Sequence, residues 1–272
     1  KIGDSDPEPF SSDGPALHGI RALDLTRILA GPVAARTLSE HGADVLMVAA
    51  KGIPQLKKFV IDLSHGKRSC FLDINREAEA ARLRELVKDA DVFSQGYRPG
   101  VLEARGFGPE ELAALRPGLV YTSINCYGSG GPFSDRGGWE QVAQSVTGIS
   151  HEVSNPPALL PVFVCDYMTG YLGAYGTMLA LARSAMEGGS YHVKVSLCQS
   201  AMFLQRQGRV AYPREEMGLS AEEVAPLQIE SDTTYGQLRH LGPVVRFSET
   251  TPKWSCPSPA LGGDTAEWLD KS

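Results

Sequence analysis

The chain lacks most of the features by which common protein classes declare themselves. Five cysteines and six histidines are scattered through 272 residues, and nowhere do they adopt CxxC or Cys/His spacing, so no metal site is expected and a disulfide framework is disfavoured. Their odd number and wide separation fit a reducing, cytoplasmic setting. No apolar run is long enough to span a bilayer, and the polar opening from Lys1 to Asp13 is unlike a signal peptide, so no membrane partner is expected. The formal charge of −6 argues against a nucleic-acid partner, although an acidic protein can still hold a local basic pocket for a small anion. A GxGxxG fingerprint is also missing, which disfavours an NAD enzyme. Repeats and low-complexity tracts are absent. Methionine first occurs at Met47, which leads to the expectation that residues are missing upstream or that the chain is part of a longer polypeptide, with residues 1–18 as a Pro/Asp/Ser-rich linker or extended arm.

What is present is an ordinary globular composition, 42% apolar and 21% charged, enough for a substantial core. From Gly19 onward short β-type runs alternate with helix-type segments, the pattern of a mainly parallel sheet covered on both faces. Strands are predicted at Ile20 to Leu25, Asp44 to Val48, Ser69 to Ile74, Val92 to Gln95, Leu119 to Ile124 and His192 to Leu197. Helices are predicted at Pro32 to Glu40, Arg76 to Lys88, Pro109 to Leu115, Glu140 to Val146 and Tyr167 to Met186. The fold class is therefore α/β, a Rossmann-like doubly wound sheet. Beyond about Arg209 the periodicity weakens; Tyr212 to Leu241 reads as a surface-crossing segment, and Pro243 to Phe247 as an edge strand.

Ligands of such sheets sit at the carboxyl ends of the strands. At the first of these ends, Ala30 and Gly31 permit close backbone approach. Gly66-Lys67-Arg68-Ser69 presents two cations beside a strand, a fit for phosphate, and equally a solvated surface pair. Gly96-Tyr97-Arg98-Pro99-Gly100 adds a ring and a cation able to hold an adenine base and a phosphate. Tyr127 to Pro132 is a glycine-dense loop suited to a close-fitting ligand channel. Glu140 near a helix start favours the helix dipole. Asp166 stands where an apolar approach, Leu159 to Cys165, meets a long helix; it can be a rigidly mounted nucleophile with amide N–H groups nearby, or simply a helix cap.

Read in order, GIRALDLTRILAGPVAARTLSEHGADVLMV, GKRSCFLDI, ADVFSQGYRPGVLEARGFGPEELAALRPGLVYTSINCYGSGGP, DYMTGYLGAYGTMLAL, LGPVVRFSETTP and PALGG resemble the class III CoA-transferase family (CaiB/BaiF), which includes formyl-CoA transferases and alpha-methylacyl-CoA racemases. The resemblance implies that Asp166 is the catalytic carboxylate, that Glu140 occupies an acidic position that positions a substrate, and that coenzyme A is received by Lys67, Arg68, Tyr97 and Arg98, with Leu29, Ala30 and Gly31 lining its thiol end. It further implies an acyl-CoA and a small carboxylic acid as substrates, an aspartyl anhydride followed by an aspartyl-CoA thioester as intermediates, and a homodimer.

Three departures qualify the resemblance. Trp139 stands where the racemases carry a proton-transferring histidine, which weakens a racemase or isomerase reading. Gly96 replaces the family's usual Asn, so one CoA contact is lost; a non-catalytic CoA-binding subunit is the remaining alternative. Only a short stretch fills the place of the family's small domain. The expected organisation is an arm (1–18), a Rossmann-like CoA-binding catalytic domain (19–209), a crossing segment in place of the small domain (210–242), and a C-terminal strand and tail returning to the large domain (243–272), with the complementary part upstream or on a partner chain.

Overall fold

The computed structural model describes residues 1–10, 13–210 and 218–270. Six strands, β1 (Arg21–Leu25), β2 (Asp44–Ala49), β3 (Lys67–Phe71), β4 (Val92–Gln95), β5 (Val120–Asn125) and β6 (Tyr191–Ser196), form one sheet in the order β3-β2-β1-β4-β5-β6. Every pairing is parallel. This is the doubly wound order, whose direction of winding reverses between β1 and β4 and leaves a crevice at their carboxyl ends. Central strands buried on both faces need continuous apolar runs, and Ala22, Leu23 and Leu25 of β1 or Val92 and Phe93 of β4 supply them.

Helices α1 (Ala30–Glu40), α2 (Lys57–Leu63), α3 (Glu77–Lys88), α4 (Pro109–Leu115), α5 (Glu140–Val146), α6 (Ile149–Val153), α7 (Val164–Glu187), α8 (Leu197–Arg206) and α9 (Ala221–Val224) complete the described residues. On one face α3 presents Ala80, Leu83, Leu86 and Val87 to the sheet. On the other, α1 and α7 cross closely because glycine sits at the contact. A Cβ on Gly170 would lie 2.6 Å from the Ala30 carbonyl oxygen and 2.7 Å from Val33 Cβ, and one on Gly173 would touch Ala34. The sequence of α7 thus brings its first turn, which carries Asp166, down onto the start of α1. None of the helices among the described residues is long and apolar enough to cross a membrane.

The strand and helix predictions for residues 19–209 are met to within a few residues at each boundary; α2, α6 and α8 are additional. Two differences lie further on. Within the expected crossing segment, residues 228–233 and 236–241 form an antiparallel hairpin of β7 (Gln228–Thr233) and β8 (Gly236–Leu241); residues 211–217 of that segment fall outside the described ones. The strand expected at Pro243 to Phe247 does not form. Those residues instead cover the end of α1, with the Phe247 ring stacked on His41 at 4.1 Å, and Gly66 and Ser69 at the β3 edge hydrogen-bond later tail residues, Cys256 and Asp264. The tail returns to the sheet as a polar and aromatic strap: Trp268 Nε1 donates to the Leu86 carbonyl, and His65, His240 of the hairpin and Trp254 of the tail form a three-ring cluster.

Candidate active site

A cleft of about 760 Å³ opens at the crevice between β1 and β4. Its floor is the turn from β1 into α1. There Ile28 has φ of +72°, a left-handed conformation that is costly for a β-branched residue and persists only where surrounding structure imposes it. The turn is anchored beneath by Asp24, a fully buried carboxylate that accepts from the Thr26 amide and hydroxyl and from Lys67 Nζ at 2.8 Å. Lys67 also donates to the Pro32 carbonyl at 3.0 Å.

Asp166 lines this cleft and is 6% exposed. The backbone N–H groups of Ala30 and Glu140, the first residues of α1 and α5, lie near enough to its carboxylate to favour the ionised form. Glu140 in turn reaches the first turn of α7: its Oε1 accepts from the Cys165 amide at 3.2 Å and its Oε2 from the Asp166 amide at 2.7 Å. Phe163, at the cap position of α7, supplies no side-chain cap, so Glu140 does the capping from another helix. Gln144 steadies it with a 2.6 Å hydrogen bond from Nε2 to Oε1. Three helix starts thereby converge on two carboxylates, Glu140 held by the first amides of α7 and Asp166 beside those of α1 and α5, and helix starts favour negative charge.

Burial pushes the Asp166 carboxyl up to about 7 and the charge of Glu140 adds to it, while the nearby backbone amides of Ala30 and Glu140 oppose both. A carboxylate so placed is partly ionised near neutrality. It can attack a carbonyl or move a proton, with amide N–H groups nearby for developing negative charge.

Several residues named from sequence meet here. Leu29, Ala30, Gly31, Tyr97, Arg98, Glu140 and Asp166 all line the cleft. Tyr97 is fixed by its amide's 2.7 Å hydrogen bond to Gln95 Oε1, and Arg98 packs against Gly137, where a Cβ would lie 2.9 Å from Nη2. Gly31 is required by Thr26, whose side chain would meet a Cβ at 2.2 Å. Glu140 is 2% exposed, and its oxygens accept from Gln144 and from the Cys165 and Asp166 amides.

Lys67 and Arg68 are corrections. They open β3 at the amino edge of a parallel sheet, and neither lines the cleft. Lys67 is wholly buried and paired to Asp24, and Arg68 grips Asp44 at 3.0 Å and the Glu267 carbonyl at 2.7 Å. A cation that opens a strand starts at the far edge of the sheet, where Lys67 is taken up by Asp24 and Arg68 by Asp44; one that follows a strand, such as Arg27 after β1, reaches the ligand edge. Arg27 does line the cleft and was not singled out from sequence, although its position after the first strand was the available signal. Trp139, noted from the sequence at the racemases' histidine position, lines it as well, and so do Leu56, Phe59 and Phe163, apolar side chains that carry no chemical motif to mark them. Among the described residues no group of three or more His, Cys, Asp or Glu could hold a metal ion.

Comparison with known proteins finds similarity in both sequence and fold. The family model described as CoA-transferase family III matches residues 17–224. An acetyl-coenzyme A transferase of Hypoxylon pulicicidum is 38% identical over 200 residues, 70% of this chain and 34% of that protein. An acyl-CoA transferase of Gibberella moniliformis is 34% identical, covering 92% of this chain and 52% of that protein. The chain thus spans between a third and about half the length of these curated relatives. In fold, it is similar to a crystal structure of a Mycobacterium tuberculosis protein, Rv3272, with a TM-score of 0.82 at 19% identity over 92% of this chain and 97% of that one.

Proposed function

The chain belongs to CoA-transferase family III, and from that premise we propose that it moves coenzyme A from an acyl-CoA to a carboxylic acid, with Asp166 as the nucleophile. The observation that carries the reading is the Asp166 carboxylate itself: buried, lining the cleft, and near the Ala30 and Glu140 amides that favour its ionised form. Proteins similar to this chain are named acetyl-coenzyme A transferase and acyl-CoA transferase, which supports the reaction class.

In the proposed sequence, Asp166 attacks the thioester carbonyl; the C–S bond breaks, and an aspartyl-acyl anhydride and CoA thiolate result. The thiolate attacks the aspartyl carbonyl and expels the first acid, which leaves an Asp166–CoA thioester. The acceptor carboxylate attacks that carbonyl, forms a second anhydride and releases the thiolate. Attack of the thiolate on the acceptor's own carbonyl gives the new acyl-CoA and restores Asp166. Each step is covalent catalysis by a carboxylate. The amide N–H groups at the starts of α1 and α5 are the nearby donors for charge that develops on oxygen. Arg27, Tyr97 and Arg98 receive the nucleotide portion of coenzyme A, since they bring two cations and a ring to the cleft. Glu140 holds α7 and keeps Asp166 poised.

Residues 19–209 are the catalytic unit in this reading, with 210–242 replacing the family's small domain. A homodimer in the cytoplasm completes it, supported by the exposed apolar row Leu172, Tyr175, Leu179 and Met186 along α7. Incubation with an acyl-CoA followed by hydroxylamine tests the chemistry: a hydroxamate on the peptide containing Asp166 is expected, and an unlabelled Asp166 under turnover conditions refutes the proposal.

A further inference from the structure

Residues 154–163 run from the end of α6 to Phe163, which lines the cleft just before α7 begins. Leu159 and Val162 on the way are exposed. Gln144, 1% exposed near the end of α5, reaches this segment with both halves of its amide: Oε1 accepts from the Leu160 N–H at 2.8 Å, and Nε2 donates to the Val162 carbonyl at 3.2 Å. Among the described residues no other hydrogen bond involves residues 159–162. Nε2 also donates to Glu140 Oε1 at 2.6 Å, one turn back on α5. The amide fits only one way round. Two acceptors, a carboxylate and a carbonyl, lie on its Nε2 side and an N–H donor on its Oε1 side, so a flipped group would set like against like. The Glu140 it grips is the carboxylate that accepts from the Cys165 and Asp166 amides. Gln144 therefore ties the segment entering α7, the first turn of α7 and Glu140 into one buried network, and a buried polar network with its groups satisfied is rigid.

Resting on the transfer reading above, we infer that Gln144 is a positioning residue for the reaction: it fixes Glu140, and through Glu140 the first turn of α7, so that Asp166 meets the thioester carbonyl in register. The physical ground is the narrow tolerance of covalent attack, since a displacement of about 1 Å costs on the order of 100-fold in rate. An apolar side chain of equal length would fill the space yet leave the Leu160 N–H and the Val162 carbonyl without their hydrogen bonds, and Glu140 without its closest donor. Glu140 would then be free to turn from the Cys165 and Asp166 amides. Gln144 does not itself line the cleft, so its removal bears on the chemical step and not on thioester binding.

The test measures kcat and KM of the full chain with acetyl-CoA as donor and butyrate as acceptor, and the rate of Asp166 labelling by hydroxylamine, for wild type, Gln144→Met and Gln144→Glu. Each is normalised to its folded fraction by denaturant titration. Met keeps the length and loses the amide; Glu keeps the shape, loses the Nε2 donors and sets a carboxylate against that of Glu140. The expected result for Gln144→Met is a kcat and a labelling rate about 10- to 100-fold below wild type, the equivalent of one hydrogen bond to a charged group. KM should stay within about threefold, because the loss falls on the chemical step. Gln144→Glu carries the same expectation if the Met variant folds poorly. A kcat unchanged in folded protein, or a rise in KM that accounts for the whole loss of kcat/KM, overturns the inference. If wild type and variants label Asp166 at the same rate, only the Gln144 assignment fails; if wild-type Asp166 is not labelled, the transfer reading fails and this inference with it.

Discussion

Replacing Glu140 with Gln should move the pH dependence of activity toward acid without moving the nucleophile. In the wild type the Asp166 carboxyl titrates near 7, raised first by burial and then by the Glu140 charge. If only ionised Asp166 reacts, about half the enzyme is competent at pH 7 and about a tenth at pH 6, so kcat/KM should fall tenfold per pH unit below the midpoint. Two carboxylates a few ångströms apart at an effective dielectric of ~20 repel by on the order of 3 kcal/mol. Solvent in the cleft reduces this, and removal of the Glu140 charge should lower the midpoint by on the order of one pH unit. Gln can still accept one of the two α7 amide hydrogen bonds now made at 3.2 and 2.7 Å, so some loss of kcat is also expected. The assay is the pH profile of kcat/KM for wild type and Glu140→Gln under identical salt. A profile with an unchanged midpoint but uniformly lower rate would refute the electrostatic reasoning and leave Glu140 as a helix cap alone.

Other consequences follow from the same geometry. Asp166→Asn should abolish turnover yet stabilise the fold at pH 8 by up to about 4 kcal/mol. The raised carboxyl makes the wild type less stable as pH climbs from about 3.8 toward 7, and chemical denaturation at pH 8 and pH 4 should show that gain fade at the lower pH. Gly170→Ala, which would force a Cβ to 2.6 Å from the Ala30 carbonyl, should cost about 1–3 kcal/mol and reduce kcat by lifting α7 from α1, as denaturant titration and initial rates would report. Arg98→Ala should weaken CoA binding by roughly 1.5–3 kcal/mol in calorimetry, whereas Arg68→Ala should leave it unchanged. Lys67→Met should leave the buried Asp24 carboxylate without its partner and destabilise the chain by about 3–5 kcal/mol, with CoA affinity retained in the folded fraction.

Much of the sheet was legible because alternation of strand and helix leaves a strong periodic signal. Runs such as Val92 to Gln95 are buried on both faces and have little freedom to be anything else. Asp166 was legible because an acid stands at a junction between two kinds of pattern. Pairing was not legible: Lys67 reads as a phosphate ligand until Asp24, 43 residues earlier, is brought beneath it. Direction was the second missing fact, since a basic pair before a strand and one after it look alike in sequence while lying at opposite edges of a parallel sheet. Glu140 as a cap for α7 required knowing that α5 and α7 start at the same point. The hairpin at 228–241 leaves little trace in the sequence because its strands alternate weakly, with several exposed polar residues and one buried side chain, His240, facing the domain.

The most direct test follows oxygen. With a carboxylic acid acceptor labelled with oxygen-18, collapse of the second anhydride returns one labelled oxygen to Asp166 in each turnover, and digestion followed by mass spectrometry should show a single oxygen exchange confined to the peptide spanning residues 164–187. Turnover that leaves this peptide unlabelled would contradict covalent participation by Asp166.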